Sequence, residues 1–137
     1  MTCYANRGYE IADAAIDGRI NVALEAARWA DLVILAVPWR SPEALPSPEA
    51  VNEKVVVDAM NPYRAWGGTY DLGDSTSSEE TRKRLPGARL VKAFGTLAAD
   101  SLAATANREP RRAVLFYATD DDAAADTAER LIRSAGF

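Results

Sequence analysis

The stretch Leu32-Val33-Ile34-Leu35-Ala36-Val37 is apolar at every position. A strand with one wet face would alternate apolar and polar residues, so this run suits a strand covered on both sides. Three further runs lie C-terminal to it: Val55-Val56-Val57-Asp58-Ala59-Met60, Arg89-Leu90-Val91-Lys92-Ala93-Phe94, and Ala113-Val114-Leu115-Phe116-Tyr117-Ala118. The second and fourth runs are nearly continuous. The third carries Arg89 and Lys92, which places it nearer an edge or opening onto a site.

Helix-like segments separate the runs. Residues Val22 to Ala30 are rich in alanine, carry Arg28, and end directly before the first run. Ser77-Ser78-Glu79-Glu80 has the S-x-x-E form of a capping box, with Ser77 and Glu80 each satisfying a free amide. Pro86-Gly87 stops that helix. Asp120 to Asp122 put negative charge at a helix start. Ala124, Ala128, Leu131, Ile132 and Ala135 then fall on one apolar face. The Pro42–Pro48 stretch holds three prolines and supports at best a short, broken helix.

Strands alternating with helices imply right-handed crossovers and a doubly wound α/β fold. Strands are expected near 32–37, 54–60, 89–94 and 113–118, parallel, adjacent in that order and buried on both faces. Ligands of such sheets collect beyond the carboxyl ends of the strands. Here those ends are Val37-Pro38-Trp39, Asn61-Pro62, Phe94-Gly95-Thr96 and Thr119-Asp120.

The chain has 137 residues, 48% of them hydrophobic, which is one domain's length with ample material for a core. Twenty acids against 16 bases give a net charge of −4, which argues against nucleic acid as a partner. No apolar run approaches the roughly 18 residues of a membrane span, and no basic-plus-apolar secretory signal opens the sequence. A cytoplasmic protein is expected. Cys3 is the only cysteine and histidine is absent, so disulfides, zinc sites, Ser-His-Asp triads and Cys-His dyads are set aside. No metal is expected.

Ala30-Asp31-Leu32-Val33-Ile34-Leu35-Ala36-Val37-Pro38-Trp39, followed by Lys54-Val55-Val56-Val57-Asp58-Ala59-Met60-Asn61-Pro62, resembles the NADPH-dependent F420 reductase family. Thr76-Ser77-Ser78-Glu79, the segment from Leu85 to Leu97, and Asp121-Asp122 with the closing Leu131-Ile132-Arg133-Ser134-Ala135-Gly136-Phe137 extend the match. The resemblance implies one partial NADP-binding, Rossmann-like domain over residues 1–137, with a mostly parallel sheet. It lacks the family's first strand and that strand's G-x-G-x-x-G turn, the seat of the pyrophosphate. It also lacks the family's C-terminal strand and helical tail. NADP is the implied cofactor and coenzyme F420 the co-substrate, in a direct hydride transfer that needs no protein acid or base.

By the same resemblance, Asn6 and Arg7 would meet the adenosine 2′-phosphate, as an amide and an arginine fork suit a dianion. Ala36, Val37, Pro38, Asn61 and Pro62 would line the nicotinamide and its ribose. Trp39 would wall the pocket, and Lys92, Phe94 and Thr96 would border the deazaflavin. Asparagine is more usual in the family at Gly95. No residue is assigned to catalysis.

Each position has a plainer alternative: a polar turn at Asn6-Arg7, a strand stop at Pro38, packing of Trp39 beneath the proline-rich loop, an ordinary turn at Asn61-Pro62. Asp58 is either a buried hydrogen-bonded carboxylate or one wetter strand position. Asp120 to Asp122 are expected to be a solvated helix start, and Cys3 an inert small residue. Trp29, Trp66, Tyr63 and Tyr70 are expected to pack.

Two other functions stay open. One is a non-catalytic nucleotide-binding or interaction fragment. The other is a pyrroline-5-carboxylate reductase-like NADP-dependent enzyme, although such enzymes choose substrates with a helical domain for which this chain has no room. Without its first strand the sheet is expected to pair Thr2–Asn6 with Leu32–Val37, or to offer that edge to another copy, and to bind NADP weakly.

Overall fold

Parallel pairing begins where the apolar run begins. The computed structural model describes residues 20–39 and 44–137. Among these, β1 (Leu32–Leu35) pairs in parallel with β2 (Val55–Asp58), and β2 in parallel with β3 (Arg89–Ala93). Helix α1 (Ile20–Trp29) precedes β1, α2 (Pro48–Val51) leads into β2, and α3 (Ser77–Arg84) joins β2 to β3. The remaining elements are α4 (Ala99–Thr105), β4 (Tyr117–Ala118) and α5 (Asp122–Ser134), and the sheet order is β1-β2-β3-β4. The fold is mixed α/β with an open sheet and a core on each face. One core gathers Val33, Leu35, Val51, Val56, Leu85 and Leu90, and the other Val57, Val91, Ala93, Ala124 and Ala128.

The fourth strand departs from expectation. β4 is two residues long and antiparallel, with Lys92 opposite Ala118 and Ala93 opposite Tyr117. A parallel partner needs a crossover that packs against the sheet and returns the chain to the amino ends. The seven-residue α4 buries none of its residues, so it makes no such crossover. The chain instead enters β4 beside the carboxyl end of β3. Val114 and Phe116 are consequently 70% and 71% exposed, while Leu115 between them is buried.

Burial of β1 on both faces is also incomplete. Val33 and Leu35 are buried but Leu32 and Ile34 only partly, because α5 lies over β2, β3 and β4 rather than β1. Pairing of Thr2–Asn6 with this strand lies outside the described residues, as do Cys3, Asn6 and Arg7. Part of the proline-rich stretch does too; its described end forms the single turn of α2.

The capping box sits one residue earlier than the S-x-x-E spacing suggested. Thr76 Oγ1 accepts from the Glu79 amide at 3.2 Å, and the Thr76 amide donates to Glu79 Oε2 at 2.6 Å. Thr-Ser-Ser-Glu-Glu allows both registers, and Glu80 is engaged elsewhere by Lys83.

The amphipathic face of α5 is as expected, with Ala124, Ala128 and Ile132 buried and Leu131 half-buried against the second core. Its cap is more than a solvated start. Asp121 accepts from the Ala124 amide and takes both Arg89 Nε (2.7 Å) and Nη2 (2.5 Å), binding the helix to β3.

That fork, with the amide behind it, lowers the Asp121 pKa to about 2. A depressed carboxylate pKa stabilises the fold above its unfolded value, and the gain disappears as pH falls through the folded value. The thermal midpoint of the wild type is expected to drop between about pH 4 and pH 2 more steeply than that of Asp121→Asn, which keeps the cap but loses the charge. Equal acid slopes in a calorimetric pH series would contradict this.

Candidate functional site

The carboxyl ends of three parallel strands form the candidate site, and three cross-links tie them together. Beyond β2 the chain turns at Ala59, whose amide donates to the Leu35 carbonyl at 3.0 Å. Asn61 then reaches across to β3, its Nδ2 donating to the Gly95 carbonyl at 2.9 Å. In the reverse direction Lys92 Nζ donates to the Met60 carbonyl and lies 3.5 Å from Asp58 Oδ1. The ends of β2 and β3 are therefore each held by a side chain from the other, and the end of β1 by the Ala59 amide.

Asp58 anchors this arrangement. Its side chain is fully buried, and Oδ1 accepts from the Met60 amide at 2.9 Å, fixing the turn that presents Asn61. Oδ2 is buried with no hydrogen-bond partner among the described residues. Burial pushes the Asp58 pKa up, opposed by the charge of Lys92 and the bond from the Met60 amide. Of the two alternatives for Asp58, this is the buried hydrogen-bonded carboxylate. The Lys92 side chain is about a quarter exposed. An ammonium has three donors, and among the described residues two acceptors, Asp58 Oδ1 and the Met60 carbonyl, face it.

Phe94 and Gly95 close the third end. Phe94 is half-buried and takes φ +60°, a left-handed conformation that a non-glycine residue adopts at a cost. Such outliers gather at ligand sites. Gly95 lies close against both neighbours: a Cβ there would lie 3.3 Å from Asn61 Oδ1, a tight contact, and 3.5 Å from Lys92 Cε, an ordinary one.

Other expected site residues are distributed around this cluster. Ala36, Pro38 and Thr96 are exposed, Pro62 is half-buried, and Val37 is buried in the first core. Trp39 is half-buried between Tyr70, at 5.7 Å between ring centroids, and the Arg84 guanidinium, 5.1 Å above its ring. Its indole N–H is buried with no hydrogen-bond partner among the described residues. Thr119 and Asp120 do not join the rim. Antiparallel pairing places them at the opposite end of the sheet, where Thr119 Oγ1 donates to the Leu90 carbonyl and Asp120 pairs with Arg82.

The aromatic residues after β2 also depart from expectation. Residues 61–70 form a finger in which Tyr63 bridges Thr69, and the Tyr70 amide donates to the Pro62 carbonyl at 2.8 Å. Gly67 and Gly68 take φ +99° and +74°, which this turn demands. The finger points away from the core, so Tyr63 is 61% and Trp66 100% exposed; Trp29, at the end of α1, is 56% exposed. Of the four, only Tyr70 packs against another ring among the described residues.

Sequence reasoning left Asp58 outside the site. A signal was present, because Asp58 and Lys92 are the fourth residues of two neighbouring parallel runs, and the register places them opposite one another.

No protein-family profile and no curated protein matches the chain. Among solved structures, it is similar to a hypothetical protein of Sinorhizobium meliloti at 36% identity and a TM-score of 0.72, covering 83% of this chain and 57% of that one. It is also similar to a protein from Arthrobacter sp. FB24 described provisionally as an F420-dependent NADP reductase, at 23% identity and a TM-score of 0.71, covering 83% and 55%. The chain spans a little over half the length of either neighbour, and what it shares with them is the Rossmann-like α/β fold.

Proposed function

We propose that the chain is the nucleotide-binding part of an oxidoreductase that moves a hydride between NADP(H) and coenzyme F420. The observation that carries this reading is the braced rim at the carboxyl ends of β1, β2 and β3, where Asn61, Lys92 and Gly95 meet. The fold shared with the Arthrobacter protein adds support. The chemistry supplied by the two coenzymes is direct transfer, one C–H bond breaking at nicotinamide C4 as another forms at deazaflavin C5. The protein's part is alignment and exclusion of water. The exposed Ala36 and Pro38 would border the nicotinamide ribose, with Val37 fixing the strand end beneath them. Pro62 holds Asn61 at the rim, and Phe94 and Thr96 would flank the deazaflavin beside Lys92. Asn6 and Arg7 would serve the 2′-phosphate. Trp39, held between Tyr70 and Arg84, would act as a wall.

The purified chain, mixed with F420 and millimolar NADPH, is expected to consume nicotinamide absorbance in step with loss of deazaflavin absorbance. A folded sample that leaves both spectra unchanged would contradict the reading.

The alternative, a non-catalytic interaction module, is favoured by one set of observations: exposed Trp66 and Tyr63 on the finger, and Val114 and Phe116 at the sheet edge. Self-association would use the outer side of β1 or β4, the edges of the sheet among the described residues. Concentration-dependent mass without hydride transfer would mark that case. No helix among the described residues is long and apolar enough to cross a membrane, and a cytoplasmic location is part of this proposal.

A further inference from the structure

The chain around β4 alternates over a longer stretch than its pairing with β3 requires. From 112 to 120, Arg112, Val114, Phe116, Ala118 and Asp120 are exposed, while Ala113, Leu115, Tyr117 and Thr119 between them are partly or fully buried. A period of two is the mark of an extended chain with one covered face. Here it runs well beyond the two residues that pair with β3. β4 is last in the sheet order, so among the described residues no strand occupies its outer side. Val114 and Phe116, 70% and 71% exposed, are large apolar side chains on an edge of the kind that draws a further strand.

The same stretch is self-complementary about Phe116. Arg112 lies four residues before it and Asp120 four after; Val114 lies two before and Ala118 two after. Laid antiparallel on a second copy with the two Phe116 residues opposed, the run sets Arg112 against Asp120 and Val114 against Ala118, all on the exposed face. Aromatic and opposite-charge pairs are favourable when directly opposed in antiparallel strands. Slipping the register by two residues separates the rings and sets Arg112 against Ala118, or Val114 against Asp120. Asp120 is accessible for this role: it pairs with Arg82 at 2.7 Å, but its side chain is 81% exposed, and such surface pairs hold weakly. The other edge, β1, offers no comparable match, since the run from Asp31 to Pro38 carries a single charge.

We propose that the outer side of β4 docks a second copy of this chain, antiparallel and centred on Phe116, so that two four-stranded sheets join across a two-fold axis. The interface is isologous: the Arg112–Asp120 and Val114–Ala118 contacts each occur twice, and the two Phe116 rings meet on the axis. Backbone pairing and the apolar pairs supply the attraction, and the two flanking ion pairs fix the register against slippage.

Sedimentation velocity of the full chain without nucleotide, over a concentration series reaching about 100 µM, is expected to show a reversible shift to twice the monomer mass. Arg112→Asp or Asp120→Arg alone opposes like charges at both symmetry-related contacts, and each is expected to weaken the dimer by about tenfold or more. Mixed in equal amounts, the two variants restore opposite charges at both contacts. The mixed dimer is therefore expected to return to within about threefold of the wild-type affinity. Phe116→Lys places two ammonium groups on the axis and is expected to leave the protein monomeric. A wild type that stays monomeric across the series, or that forms only assemblies larger than a dimer, overturns the inference. So does a dimer that tolerates either charge reversal, or one that the mixture fails to restore. Should a reversal variant not fold, Phe116→Lys decides, since a dimer unaffected by it is formed elsewhere. The readout is mass alone, so neither result bears on hydride transfer.

Discussion

Alanine in place of Asp58 is expected to lower the unfolding free energy by about 3 kcal/mol, near the lower end of the range for breaking a buried ion pair. The loss has two parts. The Met60 amide loses its acceptor, and Lys92 loses its carboxylate. The lower end applies because the Lys92 side chain, a quarter exposed, can turn toward water. Asp58→Asn keeps an acceptor for Met60 and removes the charge that burial disfavours, so its cost is expected to be about 1 kcal/mol. The pair can be separated from its surroundings by a double-mutant cycle. Combining Asp58→Ala with Lys92→Met is expected to cost about 2 kcal/mol less than the sum of the single changes, within the coupling typical of interacting neighbours. Urea denaturation of the four proteins measures this. Additive values would mean that the carboxylate and the ammonium do not sense one another.

The second large effect is structural and lies at the end of α3. Leu85 is 1% exposed and is among the largest fully buried side chains in the protein. It packs into the first core with Val33, Leu35, Val56 and Leu90. Its amide donates to Thr81 and Arg82 carbonyls, so backbone and side chain both close the helix onto the sheet. Leu85→Ala should cost about 3 kcal/mol, within the 2–5 kcal/mol that buried leucine truncations show. That is a large share of the roughly 5–15 kcal/mol by which a domain is stable. A chemical-denaturation midpoint unchanged from wild type would show that the first core is not where stability resides.

The parallel half of the sheet was legible because continuous apolar runs at Leu32 and Val55 leave few alternatives to a buried strand. The face of α5 was legible for the same kind of reason, since its period is unambiguous. The fourth strand was not. Its apolar run looks like the others, but strand direction depends on whether α4 packs on the sheet, and a seven-residue helix does not announce that. The finger at 61–70 was missed because tyrosine and tryptophan usually bury their rings, whereas the Gly67-Gly68 turn carries these outward. Of the candidate site, Asn61, Lys92 and Gly95 were visible as strand-end residues. Their mutual bracing was not, because a hydrogen bond from one strand end to the next depends on register and turn geometry together. Asp58 was legible as a buried acid but not as the residue that seats Lys92.

The central claim is the proposal that these strand ends align a nicotinamide with a deazaflavin for direct transfer. It is tested most directly by following deuterium from NADPH labelled at nicotinamide C4, on each face in turn, into F420 in ordinary water, with protein in excess and nucleotide at millimolar concentration. The account predicts that the label from one face arrives at deazaflavin C5 without washing out into solvent, while the label from the other face stays on the nicotinamide. No transfer from either face by folded protein, or label lost to water before it reaches the deazaflavin, would contradict it.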